Sequence, residues 1–255
     1  MKINEEKEKI LQRVNQFYWY HVLDLGNQIV TDGDYDIRPL LPYYGIPEDL
    51  QGKTVLDVGR GSGFFSFEFE RRGADVTATD LSSFFDWDFV GGDAERNYRI
   101  AKASSESEYN KRYHHGAFDL AKELLHSNVK SVLVNVYNMT RAMFEGKQFD
   151  LVFMGSLMSH LKHPILALER LYDVTRERVI ISAPTFNSKE KMPMMTLVGT
   201  ADNDRRSWWV PNPVCLAEML RCVGFKEIKP YGKFTLKNRR QPDLEVSHIV
   251  VHGFK

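Results

Sequence analysis

Short apolar runs alternate with amphipathic segments along most of this chain. Five runs have the length and apolar character of buried strands: 54–58, 75–79, 131–136, 149–154 and 178–183. Four segments carry apolar residues at helical spacing: 64–72, 118–125, 165–172 and 213–222. Strands that alternate with helices are typical of parallel βαβ units, whose right-handed crossovers place helices on both faces of the sheet. The pattern therefore predicts a doubly wound, mostly parallel α/β fold.

The C-terminal end departs from this alternation. Residues 225–231 and 244–252 both have the pattern of strands, and no helical segment separates them. Consecutive strands that lack a crossover helix pair in the antiparallel direction. We therefore expect an antiparallel hairpin at the edge of the sheet.

The N-terminal end differs in composition as well as in pattern. Residues 4–18 place apolar side chains at helical spacing among charged ones, which predicts an amphipathic helix. Residues 17–52 are rich in aromatic and turn-forming residues, which predicts an ordered arm or lid. We therefore divide the chain into an N-terminal helix and arm over 1–52 and one α/β domain over 53–255. Residues 84–112 are expected to form an excursion above the sheet.

The charge balance excludes a general attraction to nucleic acid or to an anionic membrane. The 255 residues include 34 Lys and Arg against 34 Asp and Glu, so the formal net charge is +0. The apolar run 151–161 is too short to span a bilayer and contains polar residues. Residues 1–9 are mostly charged and do not resemble a secretory signal. These features predict a cytoplasmic protein and leave its oligomeric state open.

The chain contains two cysteines, Cys215 and Cys222, within one predicted helix. A separation of seven residues places them on one helix face, about 10 Å apart along the axis. This distance is too long for a disulfide bond. We expect two small buried apolar residues in a reducing compartment.

A glycine-rich turn follows the first predicted strand. The strand contains Asp57 and leads into Gly59, Gly61 and Gly63, after which a helix begins. Glycines allow the backbone to turn tightly and approach a ligand, while the first N–H groups of the helix remain available. Asp80 ends the next strand, where a carboxylate suits the two hydroxyls of a ribose. The arrangement predicts a nucleotide site.

The spacing of the glycines excludes two common nucleotide-binding classes. In the dinucleotide fingerprint the third small residue comes five positions after the first, where this chain has Phe64. Its third glycine falls earlier, at Gly63, so NAD is not expected. The chain also lacks the P-loop pattern of ATPases and GTPases.

The segment Val55-Leu56-Asp57-Val58-Gly59-Arg60-Gly61-Ser62-Gly63 resembles the first motif of class I S-adenosylmethionine-dependent methyltransferases. The resemblance covers residues 54–255 and implies a Rossmann-like sheet of seven strands with an antiparallel final hairpin. It implies S-adenosylmethionine as cofactor, with the glycine loop around the methionine moiety and Asp80 on the ribose. Residues near Tyr137 would flank the adenine. The cofactor-binding residues expected on this basis are Asp57, Gly59, Gly61, Gly63, Asp80, Asn138 and Met139.

A narrower resemblance is to the tRNA wobble-uridine methyltransferases, including those that transfer a carboxymethyl group. It rests on several short segments: Trp19 to His21, Leu25-Gly26, Thr31 to Gly33, Asp86 to Asp88, Gly155 to Pro164, Trp209 to Pro211 and Gly224-Phe225. The carboxymethyl branch resembles Tyr-His-Arg-Arg after the fourth strand, where this chain has Ser159-His160-Leu161-Lys162. The groups expected to hold a carboxylated cofactor are therefore missing, which favours plain methyl transfer.

Methyl transfer from a sulfonium needs alignment of the acceptor and removal of one proton. His160 follows the fourth strand at the carboxyl edge of the sheet, so it is the predicted catalytic base or substrate contact. The predicted residues of a lid over cofactor and substrate are Trp19, His21, His115 and Trp209. His160 and His163 lack further ligands at metal spacing, so no metal is expected.

The sequence is compatible with three hypotheses of function. The favoured reading is methyl transfer to a hydroxyl or amine of a small molecule. The second is a tRNA methyltransferase, for which the basic cluster 237–240 is a candidate contact, with a solvated hairpin loop as its alternative. The third is a non-catalytic cofactor-binding protein, motivated by Arg60 where the family usually has a small residue. We expect the Arg60 side chain to point outward, since the middle of a Gly-x-Gly turn tolerates many side chains.

Overall fold

The structure is a computed structural model that describes residues 2–103, 105–187, 191–200 and 206–255. Its strands in chain order are β1 (Thr54–Val58), β2 (Asp75–Asp80), β3 (Lys130–Leu133), β4 (Phe149–Gly155), β5 (Thr175–Pro184), β6 (Met195–Leu197), β7 (Trp209–Pro211), β8 (Glu227–Lys237) and β9 (Glu245–Phe254). Seven of them form one sheet in the order β3-β2-β1-β4-β5-β9-β8. Strands β1 to β5 are parallel, and β9 is antiparallel to both β5 and β8. The predicted seven-stranded doubly wound sheet and its C-terminal hairpin are confirmed.

The α-helices in chain order are α1 (Lys2–Val14), α2 (Phe64–Arg71), α3 (Gly92–Lys102), α4 (Glu106–Asn110), α5 (Gly116–Leu124), α6 (Pro164–Val174) and α7 (Pro213–Cys222). A π-helical turn, Lys111–His115, joins α4 to α5. Short 3-10 turns occur at Arg38–Tyr44, Phe84–Asp86, Val136–Asn138, Arg141–Phe144 and Met158–His160. The connections after β2 and β4 thus begin with a short 3-10 turn before their α-helices, and the described connection from β3 to β4 contains two 3-10 turns.

The hydrophobic core lies on both faces of the sheet. Successive side chains of a strand point to opposite faces, and Val55 and Leu56 accordingly belong to different clusters of buried residues. The first cluster joins the sheet to α2, α5 and the N-terminal arm, and the second joins it to α6 and α7. The arm contributes buried side chains such as Trp19 and Ile29 to the first cluster, so it is part of the core.

Several expectations differ from the structure in detail. The third strand ends at Leu133 instead of 136, because the Asn135 side chain accepts a hydrogen bond from the Tyr137 N–H and starts a 3-10 turn. The excursion contains α3 and α4, and β6 pairs with β7 in a separate two-stranded sheet. Neither feature was predicted.

The two cysteines are free, as the spacing required. The expectation that both are buried is wrong: Cys215 is half-buried and Cys222 is exposed, because Cys222 ends α7. Among the described residues, no helix is long and apolar enough to cross a membrane.

Candidate functional site

The glycine loop leaves one of its three glycines open to a ligand. Gly59, Gly61 and Gly63 have φ angles of +80°, +53° and +92°, a region that glycine enters without steric cost. A Cβ at Gly59 would lie 2.9 Å from Leu157 Cδ2, and one at Gly63 would lie 2.4 Å from the Phe67 ring. A Cβ at Gly61 would meet nothing within 4 Å. Packing therefore requires Gly59 and Gly63, whereas Gly61 faces open space.

Backbone hydrogen bonds tie the loop to the end of β2. The N–H groups of Gly59 and Arg60 donate to the carbonyl oxygen of Thr79 at 2.9 and 3.1 Å. The Gly61 N–H donates to Oδ2 of Asp80 at 3.1 Å, and the Leu81 N–H donates to Oδ1 at 2.8 Å. The Asp80 side chain is 12% exposed. The predicted ribose acid is thus held beside the open glycine, with an accessible face.

Asp57 lies beneath the loop and is buried. Its Oδ2 accepts a hydrogen bond of 2.5 Å from the Ser66 hydroxyl, which belongs to α2. Burial raises the pKa of Asp57 to about 7, against the Ser66 hydrogen bond, which lowers it. Asp57 connects β1 to the helix that follows the loop, and its predicted contact with the cofactor stays a prediction.

The expectation that Arg60 points outward is wrong. The residue is 4% exposed, and its guanidinium carbon lies 4.0 Å from the centre of the Phe118 ring. Nη1 is 3.6 Å from Oδ2 of Asp80, and Nη2 is 3.4 Å from Nδ1 of His115. An aromatic face and a carboxylate from neighbouring elements attract the side chain inward. Burial lowers the pKa of Arg60, and the Asp80 carboxylate opposes this shift.

His115 lies beside Arg60 and the segment that follows β2. It belongs to the π-helical turn, and its Nε2 is 3.0 Å from the carbonyl oxygen of Ser82. The neighbouring His114 places Nε2 3.1 Å from the carbonyl oxygen of Leu81 and 3.8 Å from Asp80 Oδ1. Burial lowers the pKa of His114. The turn therefore packs against the segment that follows β2, and the predicted lid role of His115 stays a prediction.

A cavity of about 570 Å³ opens beyond the ends of β2 and β3. Its lining residues are Leu81, Ser82, Phe85, Asp86, Trp87, Arg96, Leu133, Val134, Asn135 and Asn138. Asn138 lines this cavity, and its predicted contact with the adenine stays a prediction. Met139 is fully buried in the second core cluster, so its predicted contact stays a prediction that this burial does not favour.

His160 lies at the same edge of the sheet, after β4. Its Nδ1 is 2.7 Å from the carbonyl oxygen of Arg206, so Nδ1 carries a proton and donates. In neutral histidine this hydrogen bond leaves the lone pair on Nε2. The ring centre is 5.0 Å from that of Trp87, which lines the cavity. Among the described residues, no three His, Cys, Asp or Glu side chains cluster as metal ligands.

Three segments of the chain meet at Asp88. Its Oδ2 accepts hydrogen bonds from the Tyr137 hydroxyl and from the Lys162 N–H, the latter at 2.8 Å. Its carbonyl oxygen accepts from the Trp208 indole at 2.5 Å. Trp209 donates to the Lys162 carbonyl oxygen at 3.2 Å. We call Asp88, Tyr137, Lys162 and Trp208 the Asp88 junction. The sequence marked Asp88 only as part of a motif, because its partners are distant along the chain.

The N-terminal arm crosses the glycine loop. The Tyr20 N–H donates to the Ser62 hydroxyl at 3.1 Å, and the His21 ring centre is 5.7 Å from that of Phe64. Burial lowers the pKa of His21 to about 3, so the ring is neutral. Trp19 is 3% exposed and belongs to the core. The arm covers the start of α2, and the predicted lid roles of Trp19, His21 and Trp209 remain to be tested.

The basic cluster 237–240 contacts the arm. Arg239 Nη1 is 3.0 Å from Asp32 Oδ1, and Arg240 Nε is 3.0 Å from Asp34 Oδ1. The Arg239 N–H also donates to the Asp34 carbonyl oxygen at 2.8 Å. Lys237 pairs with Glu245 of the adjacent strand. The charges of this cluster are thus paired within the chain.

Comparison with known proteins identifies a family. The sequence model of a methyltransferase domain matches residues 31–229. A magnesium-protoporphyrin O-methyltransferase of Rhodobacter capsulatus is 42% identical over 55 residues, 22% of this chain and 24% of that protein. A ubiquinone biosynthesis O-methyltransferase of Cereibacter sphaeroides (strain ATCC 17025 / ATH 2.4.3) is 23% identical over 177 residues, 69% of this chain and 55% of that protein. The chain thus spans about half the length of the latter and a quarter of the former.

Solved structures share the fold. The N-terminal domain of EvdMO1, crystallised with S-adenosylhomocysteine (SAH) and D-fucose, superimposes with a TM-score of 0.58 at 19% identity, covering 98% of this chain and 96% of that one. A 1,6-didemethyltoxoflavin-N1-methyltransferase of Burkholderia thailandensis with bound SAH gives a TM-score of 0.51 at 18% identity, covering 80% and 72%. At these identities the similarity shows the fold.

Proposed function

The chain belongs to the methyltransferase domain family, whose methyl donor is S-adenosylmethionine, and from this premise we propose that it methylates a hydroxyl or an amine of a small molecule. One observation carries the proposal. The open face of Gly61, the carboxylate of Asp80 and the ring of His160 lie at the edge where the parallel strands end. Ligands of open α/β sheets bind at this edge.

The residues at this edge fit the cofactor. The open space at Gly61 suits a backbone that approaches the methionine end closely. Asp80 retains lone pairs for ribose hydroxyls, because each oxygen accepts one backbone N–H. The cavity lined by Asn138 offers a place for the adenine. When bound, the cofactor supplies an electrophilic methyl group.

The remaining chemistry belongs to the acceptor side. A hydroxyl or amine must lose a proton when it is methylated, and His160 Nε2 is the proton acceptor that the fixed tautomer favours. Trp87 beside His160 offers an apolar surface for the acceptor and displaces water from it. The hydrogen bonds of the Asp88 junction fix the position of Trp87 relative to the segment after β4.

A small acceptor is favoured over tRNA by the distribution of charge. RNA binding requires several cationic side chains that are available for phosphates. Arg239 and Arg240 instead pair with aspartates of the arm, and the chain has no net charge. A non-catalytic role is disfavoured because the buried side chain of Arg60 leaves the face of Gly61 open.

The proposal is tested by following a labelled methyl group. The protein is incubated with S-adenosylmethionine carrying a tritiated methyl group, together with panels of phenols, sugars, amines and total tRNA. We expect label in a small hydroxyl or amine compound and none in tRNA. The Gly61→Val variant is the control for background transfer. Label in the tRNA fraction alone would contradict the proposal.

A further inference from the structure

Arg60 is a long cationic side chain in the middle of the Gly-x-Gly turn, where the resemblance implies a small residue. It is 4% exposed, and its Nε and Nη1 atoms are buried without a hydrogen-bond partner among the described residues. Leaving charged donors unfilled in a buried place is costly. Because Arg60 belongs to the glycine loop, we expect a role in the candidate site that offsets this cost.

The surroundings of the guanidinium partly offset this cost. Its carbon lies 4.0 Å from the centre of the Phe118 ring, which stabilises a cation over the aromatic face. Nη2 lies 3.4 Å from His115 Nδ1, which accepts because His115 Nε2 donates to the Ser82 carbonyl oxygen. Arg60 therefore connects the glycine loop to α5 and to the π-helical turn.

The carboxylates around Arg60 place its guanidinium at the Asp80 end of the candidate site. Nη1 lies 3.6 Å from Asp80 Oδ2, an ion pair longer than a hydrogen bond. Asp119 and Asp57 are further negative charges acting on the guanidinium, in that order of strength after Asp80. The side chain thus extends from the loop toward β2 and α5, where the ribose is expected.

The same oxygen of Asp80 is shared by two donors of the loop. Oδ2 accepts the Gly61 N–H at 3.1 Å and faces Arg60 Nη1. The Asp80 charge raises the pKa of the buried Asp57 and the Arg60 charge lowers it, so the two carboxyl groups repel and Arg60 offsets the repulsion. Like charges in a buried place repel strongly. Arg60 is therefore suited to keep the Asp80 carboxylate in place.

We propose that Arg60 is a positioning residue for the cofactor: it fixes the Asp80 carboxylate and the His115 turn so that the ribose hydroxyls meet a preorganised acceptor. The proposal rests on the proposed function, because it needs a ribose at Asp80. It makes Arg60 act through Asp80, and it assigns no contact between Arg60 and the methionine carboxylate.

A double-mutant cycle measured by calorimetry tests this coupling. SAH is titrated into the wild type, Arg60→Met, Asp80→Asn and the double variant. We expect Arg60→Met to weaken binding by about tenfold when Asp80 is present, which is within the range of coupling energies between neighbouring residues. In the Asp80→Asn background the same substitution should change affinity by less than about twofold, because the group it positions is gone.

A second ligand separates the two ends of the cofactor. 5′-Methylthioadenosine keeps the ribose and the adenine but lacks the amino-acid end. We expect Arg60→Met to weaken its binding by the same factor as that of SAH. Loss for SAH without loss for methylthioadenosine would place Arg60 on the methionine carboxylate and overturn the proposal. Equal losses in the wild-type and Asp80→Asn backgrounds would also overturn it.

Two measurements keep the outcome interpretable. Urea unfolding shows whether each variant is folded, and Arg60→Lys retains the charge at less cost to folding if Arg60→Met does not fold. Because lysine lacks the planar fork, we expect Arg60→Lys to restore only part of the affinity. The proposal would be contradicted if Arg60→Lys restored the full SAH affinity and Arg60→Met weakened binding equally in the wild-type and Asp80→Asn backgrounds. Arg60 would then contribute only its positive charge. Absence of SAH binding by the wild type would instead refute the proposed function.

Discussion

At the scale of single residues, a carboxyl group beneath the glycine loop links the packing of this protein to pH. Burial raises the pKa of Asp57 to about 7 from an ordinary value of 3.8. The folded state therefore holds this proton over a pH range in which the unfolded chain has lost it. Stability from Asp57 is complete below pH 4 and declines as the pH rises through 7.

Asp57→Asn, which mimics the protonated form, should remove this dependence. The unfolding free energy of the wild type should fall relative to the variant between pH 5 and 7, with a slope of up to about 1.4 kcal/mol per pH unit. Urea unfolding at several pH values measures it. Asp150→Asn is the control, because hydrogen bonds from Thr54 and Arg176 outweigh burial and lower the pKa of Asp150 to about 2. Parallel profiles for wild type and Asp57→Asn would contradict the assignment.

Gly61→Val tests whether the open face of the loop receives the cofactor. The substitution places a branched side chain in a left-handed conformation and should cost about 1 to 3 kcal/mol of stability. Gly52→Val is a matched control, since Gly52 has a φ of +73° and equally open surroundings but precedes β1 at the opposite end of that strand. We expect similar stability losses in both variants and loss of SAH binding only in Gly61→Val. Asp80→Ala should also weaken SAH binding, and wild-type affinity in both site variants would refute the cofactor site.

His160→Asn keeps a donor for the Arg206 carbonyl oxygen and removes the proton acceptor. We expect kcat to fall about 100-fold or more, with the SAH dissociation constant nearly unchanged. Steady-state kinetics with the identified acceptor and calorimetry measure the two effects. His163→Ala serves as control, because His163 is an exposed neighbour. An unchanged kcat in His160→Asn would assign this residue to structure.

At the scale of elements, the sequence predicted those features that residues close together along the chain determine. The strand before the glycine turn and α7 are set by apolar spacing, capping and glycine, and the sequence predicted both. The inward turn of Arg60 depends on Phe118 and Asp80, which come from other elements. The Asp88 junction depends on side chains from three separate connections. Patterns along the chain do not contain such distant pairings.

The loop that joins β8 to β9 holds the N-terminal arm through ion pairs, and we expect these pairs to slow hydrogen exchange in the arm. Replacing Arg239 and Arg240 by alanine removes ion pairs with Asp32 and Asp34 and should loosen the arm. Hydrogen exchange of the Tyr35 amide, which donates to the Tyr20 carbonyl oxygen, should then accelerate. The matched control is Lys237→Ala, because Lys237 pairs with Glu245 inside the hairpin. Equal exchange in the control and the double variant would exclude a fastening role.

At the scale of the whole molecule, the two halves of the site lie at the same edge of one sheet but differ in the kind of side chain that lines them. The cofactor half contains a compact group of opposite charges around Asp80. The acceptor half is built mainly from aromatic rings beside His160. Under the proposed function, the charged half would bind the nucleoside of the cofactor and the aromatic half would bind the acceptor.

The Asp88 junction has a consequence for how the protein folds. The bond from Gly61 to Asp80 joins residues 19 apart, whereas the bond from Trp208 to Asp88 joins residues 120 apart. Closing a longer loop costs more entropy, and contacts of high sequence separation form slowly. The loop that the Gly61–Asp80 hydrogen bond closes can therefore form earlier than the Asp88 junction. We expect the contact between Trp208 and Asp88 to form later, and in a nascent chain it can form only after synthesis has passed Trp208.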